Sequence, residues 1–501
     1  MGAADQMGKY EAVIGLEVHV QLATRSKIFS GASAAFGAEP NAHTDPVVLG
    51  LPGTLPVMNQ VVLEMAVRFG LAVGGRVRPS SRFARKHYFY PDLPKGFQIS
   101  QYEEPIVEGG TIAFRLEGEA RSVRLTRIHL EEDAGKNLHA TPSSSYVDYN
   151  RAGVPLCEVV SEPEIRSADE AAEYLRAVRR LVRYLGISDG NMEEGSLRCD
   201  ANVSLRPVGA TALGTKTELK NINSFKNVKE AIEHEIKRQA HLLDRGERIV
   251  QETRLWDATR GISASMRSKE QAHDYRYFPE PDLPPLVIAE DTLARLSTSM
   301  PELPEARFER YTGALGLSEQ DGGALTAEKE IAEYFEAVVA ALKGVGKTVL
   351  NRAAAAAEDE RTGKTAANWV LNDVLARVTD PRALAAPDLP VGPRRLAELV
   401  VLVEKDTLSR KQAREVLAKM WEERRSAGEI VAELGLAQVS DSGAIEAACR
   451  KVVDSHPDEA AKFRAGRAQL MGFFVGRVMK EMGGQANPKA VNEILRRLLA
   501  D

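Results

Sequence analysis

With 501 residues, the chain is longer than one hydrophobic core usually organises, so two or three domains are expected. A hydrophobic fraction of 44% and a charged fraction of 27% fit an ordinary folded chain and exclude a disordered or fibrous one. The net charge of −5 shows no overall bias toward nucleic acid; three widely spaced cysteines exclude a disulfide framework, and no apolar run reaches the roughly 18 residues of a membrane span.

The opening segment, MGAADQMGKYEAVIGLEV, lacks the basic-then-apolar layout of a secretory signal, so the cytoplasm is the expected compartment. Residues 1 to about 290 read as mixed β with interspersed helices. In the first strand, alternation puts Tyr10, Ala12, Ile14, Leu16, Val18, Val20 and Leu22 on one face, and Glu17, His19 and Gln21 on the other. VRLTRIHLEED ends in Glu131, Glu132 and Asp133; Glu132 shares a face with Thr126, Ile128 and Leu130. In EGSLRCDANVSLR, Arg198, Asp200 and Asn202 share a face, and in GTKTELKNINSF Glu218 lies between Lys216 and Lys220. Each polar face taken singly reads more readily as a solvated surface. Together, carboxylates with a histidine suit Mg²⁺ or Mn²⁺, and the neighbouring Lys and Arg suit phosphate oxygens.

Ser167 opens a helix ending at Gly186, and a second helix starts near Ser224. From about 295 the pattern becomes helical and alanine-rich, PDLPVGP at 387–393 is a break, and Ser409 caps a further helix. Ala341-LKGV-Gly346-Lys347-Thr348 loosely matches a phosphate-binding loop, but such a loop needs a strand before it. The preceding EAVVAALK has helical period, so Gly344 or Gly346 is expected to end a helix. From Lys462 onward eight basic residues face three acidic ones, which reads either as an RNA footprint or as an Arg-rich helix surface.

EVHVQL (17–22), YPDLPKGFQIS (90–100), HLEEDAGK (129–136), DYNRAGVPLCEVVSEPEI (148–165), RCDANVSLR (198–206), KNINSFKNV (220–228) and SKEQAHDYRYFPEPDLPPL (268–286) occur in this order. This set, with the tail GRVMKEMGGQANPKAVNEILRRLL, resembles the B subunits of aspartyl/glutamyl-tRNA amidotransferase, the GatB family, over essentially the whole chain. The resemblance implies an α+β protein: a mixed, antiparallel-β, cradle-like kinase domain (1–294), an all-α domain (295–407) and a small helical YqeY-like tail that binds tRNA (408–501). It implies ATP-dependent amidation of Glu-tRNA(Gln) or Asp-tRNA(Asn), the alternative being a non-catalytic tRNA scaffold in the same complex.

Carried over by position, Glu17, His19, Glu132 and Glu218 are the expected catalytic metal cluster, with Glu131 and Asp200 as further ligands. Lys86, Lys95, Arg198 and Lys220 are expected to meet ATP, and Arg464, Arg467, Arg477 and Lys480 to meet tRNA. The implied cofactors are ATP and Mg²⁺ or Mn²⁺. No zinc is expected, because Ser30, Ala32, Asp45 and Val48 stand where many relatives carry cysteines. Cys157 and Cys199 lie in apolar runs and no amidase signature is present, so ammonia is expected from a partner amidase (A) subunit. A small C subunit and a non-discriminating aminoacyl-tRNA synthetase complete the implied partners.

Overall fold

A computed structural model describes residues 8–141, 144–268, 275–346, 355–436, 442–483, 486 and 488–500. Residues 269–274 of the SKEQAHDYRY motif, together with Lys347 and Thr348, lie outside them. The protein is α+β, with a large mixed sheet and many helices, and divides into two compact units, Met1–Arg307 and Phe308–Asp501.

The first unit is built on strands β1 (Tyr10–Gln21), β2 (Glu119–Glu132), β3 (Pro155–Ser161), β4 (Leu197–Pro207), β5 (Thr217–Ile222), β6 (Glu252–Asp257) and β7 (Ile262–Ser268). They run β7-β6-β5-β4-β1-β3-β2 across the sheet, antiparallel except for the β5–β6 pair. The apolar face of β1 is buried as alternation requires: Ile14, Leu16, Val18 and Val20 are wholly inaccessible. Helices α1 (Gln60–Ala72), α2 (Ala168–Tyr184) and α3 (Phe225–Asp244) contribute to the same core through Val67, Phe69, Leu175, Val178, Val228 and Ile232. Each such side chain contributes about 1.5–3 kcal/mol by leaving water.

Ser167 caps α2 by accepting the N–H of Glu170 at 3.1 Å, and Ser224 caps α3 by accepting that of Asn227 at 3.1 Å. Glu170 reaches back to the N–H of Arg166, one residue before the cap itself. A three-stranded sheet of Ala84–His87, Phe97–Ser100 and Phe278–Pro279 carries the Lys86 segment. Leu296 is buried in the core of this unit, and Arg295 meets Glu64 at 2.9 Å.

In the second unit, helix α4 (Lys329–Gly346) occupies the segment before the phosphate-loop look-alike. No strand precedes those glycines, and Gly344 lies inside the helix rather than ending it. Helices α5 (Pro393–Glu404), α6 (Arg410–Glu423) and α7 (Ala427–Leu434) share one core with α4. Ser409 and Gln412 form a reciprocal capping box on α6. Buried Asp373 then ties that helix down through Arg414 at 2.8 Å and Arg410 at 2.5 Å. Arg410 also lies 3.5 Å from the centre of the Trp369 ring.

Leu408, Val416, Leu417, Met420 and Ile430 therefore belong to this core, and a second core starts only at Ile445. Among the described residues, the helices between 408 and 436 thus pack into the same core as α4 and α5. A serine cap marks where a helix starts, not what it packs against.

Candidate functional site

Alternation in β1 sets Glu17, His19 and Gln21 on the face opposite the core, and antiparallel pairing brings matching faces beside it. His19 stands across from Glu158 on β3 and Arg198 on β4, Glu17 from Asp200, and Gly15 from Asn202. One strand further out, Glu158 pairs with His129 and Leu156 with Glu131 on β2.

Two groups of ligand-type side chains result, each with its atoms within 4.8 Å of one another: His19, Glu131 and Glu158, then Glu17, Asp200 and Glu218. In the first, the His19 ring nitrogen lies 3.5 Å from Glu158 and 3.7 Å from Glu131. His129 faces the same two carboxylates at 3.3 and 3.8 Å. Burial lowers the proton affinity of His129, but the two carboxylates outweigh it and push its pKa up to about 9.

In the second group, burial raises the Glu17 carboxyl, and Glu158, Asp200 and Glu218 raise it further. Lys220 offsets part of that charge, 2.5 Å from Asp200 and 3.1 Å from Glu218. Asn202 donates to Glu17 at 3.0 Å and Thr253 to Glu218 at 2.6 Å. Clustered carboxylates with one imidazole fit a hard divalent cation, which would relieve their mutual repulsion.

The remaining expected ligand, Glu132, joins neither group. Strand alternation turns it to the other face of β2, where it takes Lys95 as ion-pair partner and accepts the Ile99 N–H at 2.9 Å. Glu131, its neighbour, supplies the carboxylate on the ligand face. Lys95 is thereby engaged with Glu132. Lys86 lies 5.0 Å from the Tyr275 ring centre; burial lowers its proton affinity, but Glu131, Tyr277 and Glu158 together raise it by more. Arg198 pairs with buried Asp133 at 2.8 Å, and Gln21 donates to the same carboxylate at 2.8 Å. That pairing holds Asp133 below its usual range despite burial.

Around the four expected zinc-free positions, Asp45 accepts the Val48 N–H at 2.8 Å and Ser30 accepts that of Ala32 at 3.3 Å. Lys27, wholly buried in the same loop, donates to the carbonyls of Ala152 at 2.6 Å and Tyr149 at 3.3 Å. In the second unit, Arg464, Arg467, Arg477 and Lys480 are all exposed, with Arg477 lying 5.3 Å from the Phe473 ring centre.

Residues 12–294 match the family model described as the GatB/GatE catalytic domain, and residues 333–499 match the GatB domain. The chain is 54% identical to the aspartyl/glutamyl-tRNA(Asn/Gln) amidotransferase B subunit of Anaeromyxobacter sp. (strain K), covering 98% of this chain and 99% of that protein. It is 53% identical to the corresponding B subunit of Geobacter sulfurreducens, over 98% of this chain and 99% of that one, and 51% identical to that of Thermodesulfovibrio yellowstonii, over 98% and 100%. The chain belongs to the GatB family.

For this GatB-family chain, sequence reasoning misses Glu158 and His129. The available signal for Glu158 is a lone carboxylate inside the apolar run PLCEVVS, and for His129 its shared parity with Glu131. Neither points to the cluster around His19 until the register of β1, β3 and β2 is known. Cys157 and Cys199, in contrast, are buried in the core as their apolar surroundings suggest.

Proposed function

We propose that this chain carries the ATP-dependent step of a tRNA amidotransferase, on a cradle-like kinase domain. The substrate is Glu esterified to tRNA(Gln), Asp esterified to tRNA(Asn), or both. A side-chain carboxylate oxygen of that amino acid bonds to the γ-phosphorus as the bond to the bridging oxygen breaks, releasing ADP. Ammonia then bonds to the acyl carbon, the carbon–oxygen bond to phosphate breaks, and the nitrogen gives up a proton. Activation must come first, because a free carboxylate is a poor acyl donor.

The observation that carries this proposal is the pair of ligand groups on one sheet face, His19/Glu131/Glu158 and Glu17/Asp200/Glu218. A divalent cation held there, Mg²⁺ or Mn²⁺, would neutralise charge on phosphate oxygens. Lys220 and Lys86 add fixed positive charge beside the two groups, and Asn202 and Thr253 hold Glu17 and Glu218 in place. Ammonia comes from a partner amidase subunit, with a small C subunit completing the complex. The exposed cations of the last helices grip tRNA. A purely scaffolding subunit has no use for carboxylates that repel RNA.

The test is reconstitution with the partner subunits, offering Glu-tRNA(Gln) and Asp-tRNA(Asn) separately. Glu131→Gln and Asp200→Asn should each abolish tRNA-dependent ADP formation while leaving tRNA affinity unchanged. Loss of ADP formation and tRNA binding together would favour the scaffold instead.

A further inference from the structure

Tyr102 follows the strand Phe97–Ser100 by two residues and is 50% exposed. Behind it lies Tyr277, with the ring centres 4.3 Å apart and the planes 6° from parallel. Tyr277 is half-buried, so one face of Tyr102 is covered and the other is left to solvent. An exposed aromatic ring backed by a parallel one is a preformed stacking platform.

The segment that carries Tyr277 is held in an unusual backbone. Arg276 has a φ of 45°, a left-handed conformation that costs a non-glycine residue energy and persists only where its surroundings impose it. His87 does so here: its backbone N–H donates to the Tyr275 carbonyl at 2.9 Å, and its ring Nδ1 lies 3.2 Å from the Arg276 carbonyl oxygen. The same ring stacks on Phe278 at 4.9 Å. Further along, Arg85 donates twice to buried Glu280, at 2.7 and 2.9 Å. Tyr277 is thus pinned from both sides along its chain.

The platform adjoins the His19/Glu131/Glu158 group. Ser100 donates to Glu131 at 3.3 Å, and the two residues from Ser100 to Tyr102 span at most about 7 Å. Burial raises the pKa of the Tyr277 hydroxyl; Lys86 lowers it, and Glu131 and Glu158 raise it again. The second ring therefore stands within reach of the ligand group's charge.

A flat, open face beside the chemistry suits a base at the end of a single strand. Unpaired bases stack on aromatic rings with little regard to sequence. The 3′-terminal adenosine of a tRNA is such a base, and its ribose carries the esterified amino acid. The adenine of ATP fits an open platform less well, because a small ligand is normally enclosed over most of its surface. We propose that Tyr102, backed by Tyr277, stacks the terminal adenine of aminoacyl-tRNA and so sets the amino acid's side-chain carboxylate toward His19, Glu131 and Glu158. This rests on the reading above, in which that carboxylate is phosphorylated, and adds to it the group that positions the substrate.

Tyr102→Leu keeps an apolar side chain and removes the flat face, whereas Tyr102→Phe keeps the face. The complex assembled with its partner subunits is titrated with tRNA(Gln) and tRNA(Asn), each with and without its terminal adenosine. In the natural chain and in Tyr102→Phe, removing the adenosine should weaken binding about tenfold. In Tyr102→Leu the intact and shortened RNAs should bind alike, with ATP affinity unchanged and a raised KM for aminoacyl-tRNA in ADP formation. A preference for the intact RNA that survives in Tyr102→Leu would overturn the assignment. Weakened ATP binding in that variant would overturn it in favour of the nucleotide, and a variant complex that dissociates on gel filtration would make Tyr102 part of a subunit interface instead. A natural complex that prefers the terminal adenosine, through Tyr102, yet forms no tRNA-dependent ADP would remove the ATP-dependent reading and uphold the stacking.

Discussion

Glu131 and Glu132 are neighbours in sequence and face opposite ways: Glu131 lies 3.7 Å from His19, while Glu132 accepts the Ile99 N–H at 2.9 Å and pairs with Lys95. One carboxylate shares the polar face of β1 with His19, and the other anchors the Lys95 segment.

Replacing them should therefore have different signatures. Glu132→Gln leaves the Lys95 ammonium, only 11% exposed, without its partner and should cost about 3 kcal/mol of stability. Adding Lys95→Met should restore much of that loss. Glu131→Gln should leave the melting temperature within a few degrees and remove activity. Thermal unfolding of the three variants beside an ADP-release assay checks both halves; a fully stable Glu132→Gln would contradict the anchor role.

Lys27 supplies a pH signature. Burial lowers its pKa to about 8 from 10.5, against the pull of Asp45, Asp148 and Glu132. Between these values the unfolded chain binds more protons than the folded one, so unfolding free energy should rise with pH. The cost of the buried charge is fully present below pH 8 and fades toward 10.5. Relative to Lys27→Met, the natural chain should gain on the order of 2–3 kcal/mol across that window. Denaturant unfolding of both proteins at pH 7.5, 9 and 10 measures it, and a constant difference would contradict it.

How far such features are legible in sequence depends on their range. Alternation is local, so the faces of β1 can be read from residues 10–22 alone. The partnership of His19 with Glu158 is not local: it depends on the register between strands about 140 residues apart. Parity already sets Glu132 with Ile128 and Leu130, and only the family resemblance places it among the ligands. The cap at Ser409 is legible for the same local reason. The destination of its helix is not, because that is decided by Asp373 and a core assembled from distant segments.

The shared core leads to a truncation prediction. Removing residues 442–501 should leave the core around Trp369 and Leu417 intact, whereas removing 408–501 strips out Val416, Leu417, Met420 and Ile430 and should unfold much of the second unit. Asp373→Asn should weaken the same attachment by about 1–3 kcal/mol. Limited proteolysis and calorimetry distinguish these outcomes; equal stability of the two truncations would contradict them.

The exposed tail cations should act through phosphates. Neutralising Arg464, Arg467, Arg477 and Lys480 should weaken tRNA binding and reduce its logarithmic salt slope by up to about 0.7–0.9 per lost contact. ATP affinity should be unaffected. Titrations at several salt concentrations read the slope, and an unchanged one would mark these residues as solvated surface.

Elemental analysis of purified protein should find no tightly held zinc. Asp45 is the only negatively charged group among Ser30, Ala32, Asp45 and Val48, and it already accepts the Val48 N–H. One equivalent of zinc released only on unfolding would contradict this.

β1 writes the core and the ligand face in alternate letters of a single strand. Inserting or deleting one residue near Leu16 would exchange the two messages beyond that point, sending carboxylates into the interior and valines to the site. A two-residue change would keep the faces and slide His19 away from Glu158. Variation along this strand is thus confined to substitution, and length changes must be absorbed in the loops that join it to its neighbours.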